Sequence, residues 1–350
     1  MNFTPDYANI VKAAENIPAP RLPLYEHAIS TGKIEEITGK CFNHLFLGDH
    51  TDKMEFFRNY CRFFLDMGYD TVSFEGCISQ VMPDAGCLGG HMESKIKCRE
   101  DFEKYPWQEV PDMYFQKFGT YFDALREVLP PGMKVVGGVG NGVFECVQEI
   151  IGYINLCFYS ADDPELYADF FKKTGEMIHN IWEMFLPKYG DIFAVMRCGD
   201  DLGFKNNTLL PAEDIRRFVV PQYAKIVECA HRYDKPFLLH SCGAIFDVMP
   251  DIIKTAKINA KHSNEDQIAP FPEWVDRYGD EIGLFGGIDT DAVCRLSPPE
   301  IREYITDVLN CCKGKCGLAF GSGNSIPDYV PADNYIEMVN TVRRYRGEGI

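Results

Sequence analysis

Hydrophobic and polar positions alternate along this chain in blocks that predict strands separated by helices. Short apolar runs bounded by polar or glycine-rich turns are typical of buried strands. Seven such runs are present, at residues 71–74, 134–139, 192–197, 236–240, 258–261, 282–285 and 317–320. Helical patterns lie between them, and strands that alternate with helices predict a parallel sheet built from right-handed crossovers.

The helical segments carry recognisable start signals. Asp163 before Pro164 and Ser297 before Pro298 each combine an N-cap residue with a proline in the first turn. Apolar residues between Ile215 and Ala230 recur with helical period and predict one broad buried stripe.

A (β/α)₈ TIM barrel is the fold that this alternation favours. It requires eight strands, and we expect the missing one within residues 76–132, where the pattern is loop-like and rich in Gly and Pro. A doubly wound open sheet is the rival, but no GxGxxG follows an early strand into a helix. The glycine-rich residues 136–142 predict a tight turn at a strand end. We expect one domain over 1–350, with an N-terminal helical extension (1–68) packed on the barrel (69–346).

Composition excludes several classes of protein. With 46% hydrophobic and 25% charged residues among 350, the chain can form a packed core. A formal charge of −17 argues against a nucleic-acid binder and suits a soluble cytoplasmic enzyme. The N-terminus lacks the pattern of a signal peptide, and no apolar run approaches the length of a membrane span, so we expect no membrane association.

Fourteen cysteines are many, but their spacing is not that of a disulfide framework. A long chain without a predicted signal peptide is expected to keep its thiols reduced. An anaerobic cell would tolerate so many free thiols best.

Polar clusters follow almost every predicted strand, and active sites of barrels lie at that end of the strands. The clusters include Glu75-Gly-Cys77, Arg197–Asp201, His240-Ser-Cys242, His262–Asp266, Gly286–Asp289 and Gly321–Ser325. Helix capping is the alternative role for Asp201, Asp266 and Asp289. Together the clusters predict a polar pocket rich in carboxylates, thiols and imidazole.

His240-x-Cys242 is the most specific of these signals. Residues i and i+2 of a strand point to the same side, so both side chains can reach one point in space. That point can hold a metal ion or be a catalytic dyad, and the pair can also be two buried residues that share a face by accident. Two potential ligands alone do not define a zinc site.

The motif series DDLGF (200–204), HSCG (240–243), KHSNED (261–266), GGID (286–289) and GSGNS (321–325) resembles the uroporphyrinogen decarboxylase superfamily. The resemblance runs from about residue 20 to residue 346. It implies a (β/α)₈ barrel and one of two activities, which are porphyrinogen decarboxylation and zinc-dependent methyl transfer to or from a corrinoid cofactor.

The N-terminal stretch argues against the decarboxylase branch. That branch uses an arginine-rich segment to bind the substrate carboxylates, whereas residues 20–27 contain only Arg21 and the next basic residue is Lys33. An acidic rim without paired arginines would repel a ligand that carries eight carboxylates.

In the methyltransferase branch, His240 and Cys242 match the first two zinc ligands. The third, a later cysteine, is replaced by Ser322. A serine hydroxyl is a poor zinc ligand, so the resemblance implies that a carboxylate or water completes the set. Glu75, Cys77, Cys198 and Asp201 lie at strand ends that can reach the metal, and the sequence does not choose between them.

An oxygen-rich zinc ion is more electrophilic than one with two thiolates, which favours activation of an ether oxygen over activation of a thiol. The motif GSGNS-xxx-YVP (321–331) likewise resembles donor-side O-demethylase methyltransferases. We therefore predict a methyltransferase that moves a methyl group from a small methoxylated substrate, an aromatic ether, to a Co(I) corrinoid. No DxHxxG segment is present, so the corrinoid is expected on a separate partner protein.

The resemblance also suggests roles for further residues. We assign catalytic roles to Asp201, Glu75 and Asn324, substrate contacts to His262, Glu265 and Asp289, and zinc to His240 and Cys242. Two alternatives stay open: a metal-free lyase that uses Asp201 or Asp289, and a non-catalytic barrel, which the loss of cysteine at Ser322 favours. The sequence leaves the methyl donor and the oligomeric state open.

Overall fold

Seven parallel strands form the centre of the computed structural model, which describes residues 3–349. They are β1 (Thr71–Cys77), β2 (Lys134–Gly140), β3 (Phe193–Gly199), β4 (Phe237–His240), β5 (Ala260–His262), β6 (Gly283–Ile288) and β7 (Leu318–Ser322). All seven predicted strands are confirmed, with ends that shift by no more than three residues. The strands pair in chain order from β1 to β7, and every pair is parallel.

The missing strand is not where the sequence analysis placed it. Residues 78–132 contain helices and turns but no strand. An extended N-terminal segment, residues 22–30, instead contacts both edge strands. Tyr25 N–H donates to the Phe320 carbonyl of β7 at 2.9 Å, and Ser73 of β1 donates its hydroxyl to the Glu26 carbonyl. The segment therefore lies where a closed barrel would have its eighth strand.

Helices pack around the strands. In chain order they are α1 (Ala8–Ala14), α2 (Thr31–Thr38), α3 (His50–Met67), α4 (Arg99–Lys104), α5 (Val110–Val128), α6 (Val143–Ile151), α7 (Tyr153–Asp162), α8 (Pro164–Tyr189), α9 (Ala212–Asp214), α10 (Val220–His231), α11 (Met249–Asp251), α12 (Phe271–Tyr278), α13 (Thr290–Arg295), α14 (Pro298–Cys311) and α15 (Ala332–Tyr345). π-helical turns at Ile215–Val219 and Ile252–Ala256 continue α9 and α11.

The predicted helix starts are confirmed. The Asp163 carboxylate accepts the Leu166 N–H at the start of α8, and Ser297 forms a capping box with Glu300 at the start of α14. The apolar stripe that begins at Ile215 lies along the π turn and α10, and faces the core.

The glycine-rich stretch is a strand rather than a turn over most of its length. β2 continues to Gly140, and only Asn141 and Gly142 form the predicted turn. Gly137 has φ +151°, and a Cβ there would lie 1.9 Å from the Phe74 carbonyl oxygen of β1. Glycine therefore lets the two strands approach each other at this point.

Two hydrophobic clusters surround the strands. The inner one lies between the strands and helix α1, and includes Ile10, Tyr25, Val136, Leu238 and Phe285; the outer one joins the strands to the surrounding helices. No helix in residues 3–349 combines the length and apolar character that a membrane span requires. All fourteen cysteines are free, as the sequence predicted.

Parallel pairing in chain order brings the carboxyl ends of all seven strands to one face. The polar clusters that the sequence places after these strands therefore surround a single mouth.

Candidate metal centre

Three donor atoms converge where β3 and β4 end. Cys242 Sγ lies 3.5 Å from His240 Nε2, and Asp201 Oδ1 lies 3.8 Å from the same nitrogen. The Cys242 backbone N–H donates to Asp201 Oδ1 at 2.9 Å, which ties the two side chains' loops together. Strand register produces this arrangement, because Gly199 pairs with His240, and Asp201 and Cys242 each lie two residues beyond one member of that pair.

The spacing of these atoms fits a tetrahedral zinc ion. Zinc–sulfur bonds of about 2.3 Å and zinc–nitrogen bonds of about 2.0–2.1 Å place sulfur and nitrogen about 3.5 Å apart, and nitrogen and oxygen about 3.4 Å apart. The Cys242 Sγ–His240 Nε2 distance of 3.5 Å matches the expected sulfur–nitrogen distance. The Asp201 Oδ1–His240 Nε2 distance of 3.8 Å is slightly longer than the expected nitrogen–oxygen distance, and a small movement of the Asp201 side chain would close the difference. A set of three protein ligands with an open fourth position is characteristic of catalytic zinc.

A chain of hydrogen bonds orients the His240 ring. His262 Nε2 lies 3.0 Å from the Ser322 carbonyl oxygen, which only accepts, so this nitrogen carries the proton. Burial lowers the pKa of His262 to about 3, so its Nδ1 is unprotonated and accepts from His240 Nδ1–H at 2.7 Å. The lone pair of His240 Nε2 then points at Asp201 and Cys242, as a metal ligand requires.

His27 belongs to the same imidazole cluster but is poorly placed to share a metal with it. Its ring stacks on His240, with centroids 3.8 Å apart and planes 21° from parallel. The ring nitrogens of His27, His240 and His262 lie within 4.8 Å of one another. The lone pairs of stacked rings lie in the ring planes, however, and do not converge on one ion. His27 Nδ1 is buried without a hydrogen-bond partner, and the Arg197 guanidinium holds the His27 carbonyl at 2.9 Å.

Two side chains donate hydrogen bonds to the Cys242 sulfur. Ser263 Oγ lies 3.4 Å and Asn324 Nδ2 3.3 Å from Sγ. Burial, followed by the nearby Asp201 carboxylate, raises the pKa of Cys242 to about 12. Without a metal the residue is therefore a thiol, and a bound cation is needed to hold it as the thiolate near neutral pH.

Further carboxylates lie beside Asp201. Asp200 accepts the N–H groups of Phe144 and Glu145 at the start of α6 and the hydroxyl of Tyr223. Glu145 accepts the Asp201 N–H at 3.2 Å, and burial together with the charges of Asp200 and Asp201 raises the pKa of Glu145. A divalent cation at Asp201 would reduce this repulsion.

Ser322 is fully buried, and its side chain is hydrogen-bonded to Glu26. Its hydroxyl donates to Glu26 Oε2 at 2.5 Å, and its N–H donates to Glu26 Oε1 at 3.0 Å. The serine that stands at the expected cysteine position therefore joins β7 to the N-terminal segment. Burial raises the pKa of Glu26 to about 8, so this contact is between a neutral acid and a hydroxyl at neutral pH.

Glu75 lies in a buried ion pair rather than among the converging donors. Arg197 binds its Oε2 through Nε at 3.0 Å and Nη2 at 2.8 Å, and also binds the Tyr25 hydroxyl. Cys77 and Cys198, the thiols that the sequence also offered as ligands, are not in the group formed by Asp201, His240 and Cys242.

Two open cavities adjoin these residues. The smaller, about 370 Å³, includes Asp201, Cys242 and the apolar side chains of Leu88, Phe204 and Leu209. The larger, about 640 Å³, includes Asn324, Asp289 and Tyr329. Lys205 and Glu265 line both, so they lie where the cavities meet.

Asp289 has a structural role in addition to any contact with substrate. Its carboxylate accepts the N–H groups of Asp291 and Ala292 as the N-cap of α13, and the N–H of Asp266. Arg21, the arginine of the N-terminal stretch, pairs with the buried Asp70 and lines neither cavity.

The sequence predicted His240, Cys242, Asp201, His262 and Asn324, and the structure brings all five together. The sequence analysis did not single out His27, Ser263, Glu26 or Glu145. The KHSNED motif contained Ser263, but its direction toward Cys242 depends on packing between strands. A further group of possible ligands, His179, Glu183 and Cys229, lies on α8 and α10, where Arg232 already pairs with Glu183.

Comparison with known proteins gives a family and a fold. The profile described as uroporphyrinogen decarboxylase (URO-D) matches residues 68–345. A methyltransferase from Methanosarcina mazei has a similar structure, with a TM-score of 0.77, 14% identity, and coverage of 98% of this chain and 99% of that one. A putative vitamin-B12-independent methionine synthase from Listeria monocytogenes gives a TM-score of 0.53, 10% identity, and coverage of 94% and 100%. No curated protein sequence matches the chain.

Proposed function

The chain belongs to the uroporphyrinogen decarboxylase family, and from that premise we propose that it is a zinc-dependent methyltransferase. It would move a methyl group from a small methoxylated substrate, an aromatic ether, to the Co(I) corrinoid of a separate protein. The observation that carries this proposal is the convergence of Asp201, His240 and Cys242 beside a cavity at the mouth of the strands. The structural similarity to the M. mazei methyltransferase supports it.

The composition of the ligand set favours an oxygen substrate. Asp201, His240 and Cys242 would hold zinc with one thiolate, and the ion would supply a Lewis acid that polarises the ether oxygen. Carboxylate donates less electron density than thiolate, so such an ion stabilises a departing alkoxide or phenoxide better than a site with two thiolates. The side chain of Ser322, which replaces the expected cysteine, binds Glu26 and adds nothing to the metal.

The surroundings of the site are suited to a small, partly apolar substrate. Leu88, Phe204 and Leu209 provide apolar walls next to Asp201 and Cys242 that suit contact with an aromatic ring. Glu265, at the junction of the two cavities, can accept a hydrogen bond from a substrate hydroxyl. The open mouth above them leaves room for a partner that presents the corrinoid.

The same lining argues against porphyrinogen decarboxylation. Lys205 is the one cation that lines either cavity in residues 3–349, beside the carboxylates of Glu145, Glu265, Asp289 and Asp291. A substrate with many carboxylates would meet repulsion there, because pairing with arginine is the usual way to bind such groups.

Metal content and methyl transfer together test the proposal. The protein, purified without chelator, is expected to contain about one zinc ion per chain, and Asp201→Asn, His240→Ala and Cys242→Ala to lose it. Reduced corrinoid proteins mixed with the enzyme and a panel of methoxyarenes should lose their Co(I) absorption band. Cys77→Ser, at the end of β1, is the matched control and should retain both properties. Full zinc content in a His240→Ala, Cys242→Ala double variant, or no reaction with any ether, alcohol or amine donor, would contradict the proposal.

A further inference from the structure

The sulfur of Cys242 receives more hydrogen bonds than a half-buried thiol needs. Ser263 Oγ–H and Asn324 Nδ2–H both donate to it, at 3.4 and 3.3 Å. A neutral sulfur is a weak acceptor, whereas a thiolate accepts strongly because the acceptor is charged. Two donors on one sulfur are therefore matched to the ionised form.

The backbone is strained to aim the Ser263 hydroxyl. Ser263 has φ +100°, a region that non-glycine residues rarely occupy and that persists only where the surroundings impose it. Lys261 provides one constraint: its Nζ donates to the Ser263 carbonyl oxygen and lies 3.8 Å from the centre of the Trp274 ring. Both Lys261 and Ser263 are buried.

The second donor comes from a different strand. Asn324 follows β7, and its carbonyl oxygen lies 3.2 Å from the Ser322 hydroxyl oxygen. The loops after β5 and β7 are joined by the Asn264 N–H, which donates to the Gly323 carbonyl at 2.9 Å. The loops after β5 and β7 are therefore fixed to each other, and each directs a hydrogen-bond donor at Cys242, which lies on the loop after β4.

We propose that Ser263 and Asn324 are positioning residues that lower the electron donation of the Cys242 sulfur to the bound metal. A sulfur lone pair that accepts a hydrogen bond is less available to the ion, as hydrogen bonds to sulfur tune other metal–thiolate centres. The metal then stays electrophilic although one ligand is a thiolate. This inference rests on the proposed function, because it takes Cys242 to be a metal ligand.

Cobalt(II) substitution provides a readout that does not depend on turnover. A coordinated thiolate gives a charge-transfer band in the near ultraviolet, and its energy falls when the sulfur becomes a stronger donor. We expect this band to move to longer wavelength in Ser263→Ala, Ser263→Gly and Asn324→Ala, and to move further when the two sites are changed together. Loss of cobalt affinity is expected to be at most about 10- to 100-fold. Ser325→Ala, one residue beyond Asn324, is the control and should leave the band in place.

The choice of variants separates hydrogen bonding from strain. Ser263→Gly removes the hydroxyl and relaxes the positive φ, whereas Ser263→Ala removes the hydroxyl and keeps the strain. If the charge-transfer band moved in only one of these two Ser263 variants, the effect would belong to the backbone and the inference would be overturned. An unchanged band in all variants that retain cobalt would overturn it while the metal proposal stands. A wild-type cobalt protein without any thiolate band would overturn both.

Discussion

Zinc binding by this protein should release a proton from Cys242. The pH dependence of the zinc affinity measures how many protons are released. Burial and Asp201 raise the pKa of Cys242 to about 12, so at pH 6–8 the free protein carries a thiol there. Burial lowers the pKa of His240 well below its usual value, so His240 binds the metal without losing a proton. Cys242 alone then makes the zinc dissociation constant fall about tenfold for each unit of pH.

Glu145 adds to this pH dependence, and its contribution has to be separated from that of Cys242. Burial, followed by the charges of Asp200 and Asp201, raises the pKa of Glu145, and a cation at Asp201 would lower that pKa again and release part of a second proton. We therefore expect a slope between one and two in the wild-type protein, and a slope of one in Glu145→Gln. The rise of the Cys242 pKa from 9.0 to about 12 weakens zinc binding at neutral pH by on the order of 4 kcal/mol, relative to an ordinary thiol.

Competition with a chelator, measured at several pH values between 6 and 8 and corrected for the chelator's own protonation, gives the slope. Calorimetry in buffers of different ionisation enthalpy counts the protons independently. In the Glu145→Gln background, Cys242→Ser should remove the dependence, while Cys77→Ser should leave it at one. A slope of two in that background would mean that a second group also loses a proton, either His240 or Asp200, whose pKa burial raises to about 6. A slope that survives Cys242→Ser would refute the reasoning.

Three further predictions concern the contact between Glu26 and Ser322. Because burial raises the pKa of Glu26 from 4.5 to about 8, its stabilising contribution is complete below pH 4.5 and is lost as pH rises toward 8. Relative to Glu26→Gln, the wild-type free energy of unfolding should fall by about 1.4 kcal/mol per pH unit between pH 5 and 8. Denaturant titrations at several pH values measure this free energy, and the same pH dependence in both proteins would contradict the prediction. Ser322→Ala should cost about 1–3 kcal/mol of stability and leave zinc content unchanged, because the hydroxyl faces Glu26. Ser322→Cys should likewise add no second thiolate band to the cobalt protein, and the appearance of one would show that residue 322 can reach the metal.

Local pattern determined much of this protein. The period of apolar residues located all seven strands, because burial of a strand depends on the residues of that strand. Capping chemistry located the starts of α8 and α14, since a cap uses neighbours within one turn. The two-residue period of a strand likewise predicted that His240 and Cys242 share a side, and their donor atoms lie 3.5 Å apart.

What the sequence left open depends on contacts between distant segments. Asp201 could not be chosen over Glu75 from the chain alone, because the choice depends on the register of β3 against β4 and on the pairing of Glu75 with Arg197. The segment that contains Glu26 lies beside β7, almost 300 residues further along the chain, and no local pattern predicts that pairing. Local periodicity determines which residues form strands and helices, whereas only tertiary packing determines which strand ends meet and where their side chains point.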